Sequence, residues 1–157
     1  MLAVVWHSRT GAARAMAEAA AEGAGPRARL IAADEAQPKL LVAAAGYIFA
    51  CPENLATMSG AMKEMFDRAY YPLLGAVEGR PYATLIAAGS DGSGAQAQID
   101  RIVTGWRLRR VAPPLICNLD AQTPAQIMAP KQVPAEVLHQ CRELGEALAS
   151  GLELGIF

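Results

Sequence analysis

Charge is scarce in this sequence. Only 18% of the residues are Asp, Glu, Lys or Arg, and the two signs nearly cancel, leaving a formal net charge of −1. The few basic clusters, such as Arg107, Arg109 and Arg110, are short and lack interleaved aromatics, so no nucleic-acid partner is expected. A one-signed surface of the kind a dedicated electron shuttle uses to steer encounter is missing too. Cysteine is equally sparse. Cys51, Cys117 and Cys141 are odd in number, widely spaced and form no CxxC pair, which argues against a disulfide framework or a zinc site and makes a reducing cytoplasm the expected location. No long hydrophobic run is present: the longest uncharged stretch, residues 40–52, is too short to span a bilayer, and the apolar residues 2–6 follow no basic leader. Neither membrane insertion nor a targeting segment is expected.

What the chain does have is apolar residues in a regular order. They make up 53% of its 157 residues, a length that suits one domain and buries roughly two-thirds of the surface an unfolded chain of that size exposes. Residues 1–157 are therefore read as a single domain without repeats or low-complexity linkers. Short apolar runs alternate with segments of helical period, the signature of βαβ units and a parallel sheet. Strand candidates are residues 2–6, 28–32, 46–50, 82–88 and 111–117, each read as apolar on both faces, as strands covered by helices must be. Helix candidates are residues 12–22, 60–71, 95–108 and 135–151, with a weaker one at 35–44. The second helix is the clearest. Met58, Met62, Met65, Phe66 and Ala69 form one stripe, which reads as core packing, while Lys63 with Asp67 and Glu64 with Arg68 form i,i+4 pairs on the other side.

In a doubly wound sheet, ligands sit beyond the carboxyl ends of the strands where the strand order reverses, so the loops after strands one, three and four carry the chemistry. The first loop, His7-Ser8-Arg9-Thr10-Gly11-Ala12-Ala13-Arg14, offers two hydroxyls and the free amides of a helix N-terminus, which suit a phosphate. Ser8 or Thr10 acting only as a helix cap is the plainer alternative. With one glycine and no Gly-Lys-Ser/Thr, the loop matches neither a dinucleotide fingerprint nor a Walker A motif. The second loop, residues 51–60, is long for a βα connection and mixes amides, hydroxyls and apolar groups. The third, Gly89-Ser90-Asp91-Gly92-Ser93-Gly94, has three glycines that let backbone amides approach a ligand.

Taken together, these residues resemble the flavodoxin-like superfamily, and its NAD(P)H-dependent FMN reductase and quinone reductase branch more than the short electron-carrier flavodoxins. Ser8-Arg9-Thr10-Gly11 resembles the family's phosphate loop. Cys51-Pro52-Glu53 through Ser59-Gly60, followed by Met62-Lys63-Glu64-Met65-Phe66-Asp67-Arg68, resembles its Pro-containing loop and following helix. Gly89 to Gly94 resembles its glycine-rich third loop.

The resemblance implies a three-layer α/β sandwich with a five-stranded parallel sheet of order 2-1-3-4-5 and helices on both faces. It implies FMN as cofactor, with Ser8, Thr10, Gly11, Ala12 and Ala13 around the phosphate, Pro52, Glu53, Asn54 and Leu55 flanking the ring, and Gly89, Ser90, Asp91 and Gly92 at its pyrimidine side. Amides of residues 89–92 would stabilise the anionic reduced flavin. No dedicated catalytic side chain and no metal are implied. Ala13 stands where the family often has a further Thr, leaving Arg14 or His7 to supply that hydrogen bond, and no aromatic stands in the second or third loop.

The implied activity is an oxidoreductase that takes electrons from NADPH or NADH and passes them through FMN to a quinone or other small acceptor. The alternatives are a flavodoxin-type carrier and a module of this fold that has lost FMN. Pairing into a homodimer or higher homo-oligomer is also implied, with Tyr70-Tyr71-Pro72-Leu73-Leu74 as a candidate contact. Asp67 and Arg68 read as helix-surface ion-pair partners, His7 as a strand-end residue, His139 as mid-helix, and Trp6 and Trp106 as core.

Overall fold

A computed structural model describes residues 1–157 in full. The elements run β1 (Leu2–Trp6), α1 (Ala12–Ala24), a 3-10 turn (Gly25–Arg27), β2 (Ala28–Ala32), α2 (Pro38–Ala43), β3 (Gly46–Asn54), β4 (Thr57–Met58), α3 (Gly60–Leu73), β5 (Pro81–Ala88), α4 (Ser93–Gly105), β6 (Arg109–Arg110), β7 (Leu115–Asn118), α5 (Pro124–Met128) and α6 (Ala135–Glu153). The parallel sheet has the order β2-β1-β3-β5, with β6 and β7 sharing the outer edge of β5. That is the expected order once the fifth strand is counted as two pieces.

Successive strand residues point to opposite faces, and the sequence uses the alternation. Along β1, Leu2 and Val4 enter one core cluster while Ala3 and Val5 enter the other. Along β3, Ile48 and Ala50 face α1 and α6, whereas Tyr47, Phe49 and Cys51 face α3 and α4. The methionine stripe is buried on that second face, next to a run of ring contacts from Phe49 to Phe66 to Trp106 at centroid distances of 5.1 and 5.4 Å. On the first face the alanines of α1 let α6 approach closely. A Cβ at Gly145 would come within 1.9 Å of the Ala20 carbonyl oxygen, and one at Gly23 within 2.0 Å of that of Arg142.

Several expectations are corrected. β3 runs on past residue 50 to Asn54 and turns back into β4, so the second loop is a hairpin and Met58 lies in a strand. Its turn residues Leu55 and Ala56 both have positive φ, the geometry of a two-residue hairpin turn, without the glycine or asparagine that would announce it. The candidate strand at 111–117 is broken because Pro113 and Pro114 donate no amide to a ladder. Opposite the gap, the Thr84 hydroxyl donates to Gln96 at 2.6 Å, while Gln96 (3.0 Å), Tyr82 (2.9 Å) and Arg110 all donate to Asp100. At the other edge β2 is not apolar on both faces, since Arg29 and Leu30 are exposed. The helix expected at 35–44 begins only at Pro38. Arg68 does more than pair with Glu64 on the helix surface: it also donates to the carbonyl of Ala33 at 2.8 Å, tying α3 to the turn after β2. Within residues 70–74, Leu73 is buried and Tyr70 stacks on Trp106, which leaves Tyr71, Pro72 and Leu74 exposed.

Candidate functional site

Loops after β1, β3 and β5 meet in one cleft at the carboxyl edge of the sheet. It is lined by Ser8, Arg9, Thr10, Ala12 and Ala13 from the first loop, Pro52, Glu53 and Asn54 from the second, and Ala87, Ala88 and Gly89 from the third. A fourth wall comes from the segment after β7, through Leu119, Ala121, Ile127, Met128 and Lys131.

The first loop presents amides. Gly11 adopts φ +97 at the N-terminal boundary of α1 and its N–H donates to Ser8 Oγ at 3.0 Å, a turn that leaves the amides of Ala12, Ala13 and Arg14 without an acceptor inside the helix. No side chain caps this helix, so Ser8 shapes the loop and Thr10 stands at its mouth. Unpaired amides and the helix dipole together favour an anion there. Of the two residues expected to replace a hydroxyl at position 13, neither is free. Arg14 pairs with Glu18 at 2.7 Å and lies over Trp6, and His7 bonds to Ser59 at 2.8 Å. The cations that do line the cleft are Arg9 and Lys131.

In the second loop, Pro52 lies beyond the last residue that β3 pairs with β1, where no amide is required on that side. The Glu53 carboxylate accepts from the amides of Gly92 at 2.9 Å and Ala95 at 3.1 Å, and so caps α4 from another loop. Asn54 ends β3, and Leu55 stands at the hairpin tip with 98% of its surface exposed. In the third loop Gly89 lines the cleft, whereas Ser90, Asp91 and Gly92 stand outside the lining. Asp91 caps Ser93, whose side-chain and backbone hydrogen bonds hold the carboxyl below its ordinary value. The Gly92 amide is committed to Glu53, so it is not among the free donors.

Sequence reasoning missed the fourth wall. Its signal was present: Thr123-Pro124-Ala125-Gln126 forms a capping box with proline in the first turn, which starts α5 and folds the segment back. The Lys131 amide then donates to the Thr10 carbonyl at 2.8 Å, fastening this segment to the first loop. Lys131 Nζ donates to the carbonyls of Gln126, Ile127 and Ala129, the last at 2.6 Å, as a cation does at a helix C-terminus.

No metal cage accompanies the cleft. Cys51 is fully buried and burial pushes its thiol up to about 12, and no cluster of His, Cys, Asp and Glu could hold a metal ion. His7, half-buried beside Ser59, has its imidazole held below the ordinary value by that burial and by Arg9, with Asp34 pulling the other way. The arrangement offers amides, hydroxyls, two cations and an apolar wall, a surface for holding a ligand rather than for attacking one. No helix is long and apolar enough to cross a membrane.

Comparison with known proteins places the chain in a family. A flavodoxin from Aquifex aeolicus (strain VF5) is 32% identical over 105 residues, covering 64% of this chain; the chain spans 57% of that relative's length. Among solved structures, a WrbA-like flavodoxin from Agrobacterium tumefaciens superposes with a TM-score of 0.78 at 20% identity, covering 98% of this chain and 97% of the other. A flavodoxin from the domain Archaea does so at 0.77 and 19%, covering 98% and 99%. At these identities the superpositions establish the flavodoxin-like fold. The profile that matches residues 32–117, more than half of the sequence, is that of NADPH-dependent FMN reductase. This chain belongs to the NADPH-dependent FMN reductase family.

Proposed function

We propose that the chain binds FMN in this cleft and works as an oxidoreductase, accepting electrons from NADPH or NADH and delivering them to a quinone or another small acceptor. The observation that carries the reading is the convergence of three unpaired amides, Ala12, Ala13 and Arg14, with the Ser8 and Thr10 loop at one end of a cleft that continues past Pro52, Asn54 and Gly89. The residues present fit the cofactor. The first loop suits its phosphate, with Ser8, Thr10, Gly11, Ala12 and Ala13 surrounding it, and Arg9 and Lys131 add positive charge to the same cleft. Pro52, Glu53, Asn54 and Leu55 would flank one side of the ring, and Gly89, Ser90, Asp91 and Gly92 would stand near its pyrimidine end.

Bound FMN supplies the hydride and electron chemistry. The chain's own residues bind it, orient it and exclude water on the walled side. The apolar side chains of Ile127 and Met128, both exposed at the rim, leave a surface that suits an uncharged acceptor over a highly charged one.

The competing reading is a carrier that exchanges single electrons with a protein partner, in line with the name of the Aquifex relative. An absorbance spectrum of the desalted protein with and without FMN, followed by anaerobic NADPH or NADH, separates the two. A bound flavin that bleaches with either nucleotide supports the reductase. Bleaching by dithionite alone supports the carrier, and a protein that takes up no flavin removes both.

A further inference from the structure

The β3–β4 hairpin and the N-terminus of α4 are held together by three hydrogen bonds between side chains and backbone amides and by one close backbone approach. The Glu53 side chain leaves the hairpin and accepts from Gly92 N–H at 2.9 Å and Ala95 N–H at 3.1 Å. In the other direction, Gln98 Oε1 of α4 accepts from the Met58 amide at 2.8 Å. The Ala56 carbonyl oxygen approaches so closely that a Cβ at Gly94 would stand 2.1 Å from it. Between these fastenings the chain turns through Leu55 and Ala56 with φ of 52 and 61, a backbone conformation that costs non-glycine residues energy and persists only where the surroundings enforce it.

We propose that Glu53 is a positioning residue: its carboxylate clamps the β3–β4 hairpin to the N-terminus of α4, so that the second and third loops of the cleft move as one wall. Two consequences follow from the geometry. The strained tip at Leu55 and Ala56 stays formed because its base is locked on both strands, by Glu53 on one and Met58 on the other. The α4 amides at Gly92 and Ala95 are satisfied within the protein, so this helix end holds a side chain of the chain itself and leaves the end of α1 as the anion site. A carboxylate is required because each of its oxygens takes one amide. Glutamine offers a single acceptor oxygen, alanine none.

The link to flavin affinity rests on the FMN reading above, whereas the first measurement is made on the ligand-free chain. Amide hydrogen exchange is followed in the wild type, Glu53→Ala, Glu53→Gln and Gly94→Ala. Glu53→Ala is expected to speed exchange about tenfold in residues 54–58 and 92–96 together, with β1 and α6 unchanged. Glu53→Gln should fall between it and the wild type. Gly94→Ala puts a Cβ 2.1 Å from the Ala56 carbonyl oxygen and 3.3 Å from Glu53 Oε2, so it should push the hairpin off α4 and raise exchange in the same two segments, and Glu53→Gln, which keeps the size of the side chain, decides the matter if Glu53→Ala does not fold. The FMN titration then shows weaker binding by about tenfold in each released variant and by less in Glu53→Gln. Exchange that rises in one segment alone, or in neither, overturns the clamp. Exchange that rises equally throughout the domain assigns Glu53 a general stabilising role and also overturns it. A wild type that takes up no FMN removes the functional reading, while the exchange result still decides the clamp.

Discussion

The imidazole Nδ1 of His7 lies 2.8 Å from Oγ of Ser59, joining the end of β1 to the start of α3. Ser59 precedes the first residue of α3 yet its hydroxyl makes no cap bond to that helix, because it is turned toward His7. The two residues thus tie the first loop to the second. Burial is the main reason the imidazole is held below its ordinary value, with Arg9 adding to the effect and Asp34 opposing it.

This bond predicts the direction of a pH dependence. A histidine whose folded value lies below its unfolded value of about 6.5 binds a proton more readily in the unfolded chain. Stability is then full above that pH and is lost as pH falls through the folded value. Urea midpoints measured between about pH 8 and pH 5 should fall toward acid in the wild type, and His7→Gln should have a shallower slope.

Asp100 predicts a second pH-dependent loss, further into acid. Burial disfavours its charge, but the hydrogen bonds from Gln96, Arg110 and Tyr82 and the charge of Arg110 outweigh that and hold the carboxyl below its ordinary value. The stabilisation is present above the unfolded value of about 3.9 and disappears as pH falls through the folded one. Asp100→Asn should lower the urea midpoint at pH 7 and remove this part of the acid loss, as titrations between about pH 5 and pH 2 would show.

Gly145 should tolerate no side chain. A Cβ there meets the backbone carbonyl of Ala20 at 1.9 Å, and α1 cannot yield without disturbing the alanines packed beneath it. Gly145→Ala is expected to cost about 1–3 kcal/mol, measured as a lower denaturation midpoint at unchanged slope.

Gly92 carries two constraints at once. Its φ of +95 disfavours a side chain, and a Cβ would stand 2.5 Å from Ile116 Cγ2. Gly92→Ala is expected to destabilise the chain by about 2 kcal/mol and to weaken FMN uptake, since the amide bound to Glu53 moves with it. Equilibrium denaturation and flavin titration check the two effects separately. A variant that loses stability but keeps wild-type affinity would exclude Gly92 from placing the third loop.

What the sequence alone determined is the layered α/β plan and the place of the cleft. Apolar runs bounded by helical periods set β1 at Leu2–Trp6 and β2 at Ala28–Ala32 as expected, and the methionine stripe marked the buried face of α3, because strand and helix periods are local properties of the chain. The turn into α1 was legible as well, since a hydroxyl, a glycine and a helix start lie side by side in sequence.

Tertiary structure decided the rest, wherever the cause lies far along the chain. Leu55 and Ala56 are not themselves residues that mark a hairpin turn; it exists because Glu53 reaches Gly92 and Ala95, and Gln98 reaches Met58, about forty positions away. Lys131 joins the site only because its amide finds the Thr10 carbonyl across the first loop. Local patterning fixes which segments form strands and helices. Hydrogen bonds between distant loops fix which side chains face the cleft, and no single stretch of sequence contains both partners of such a bond.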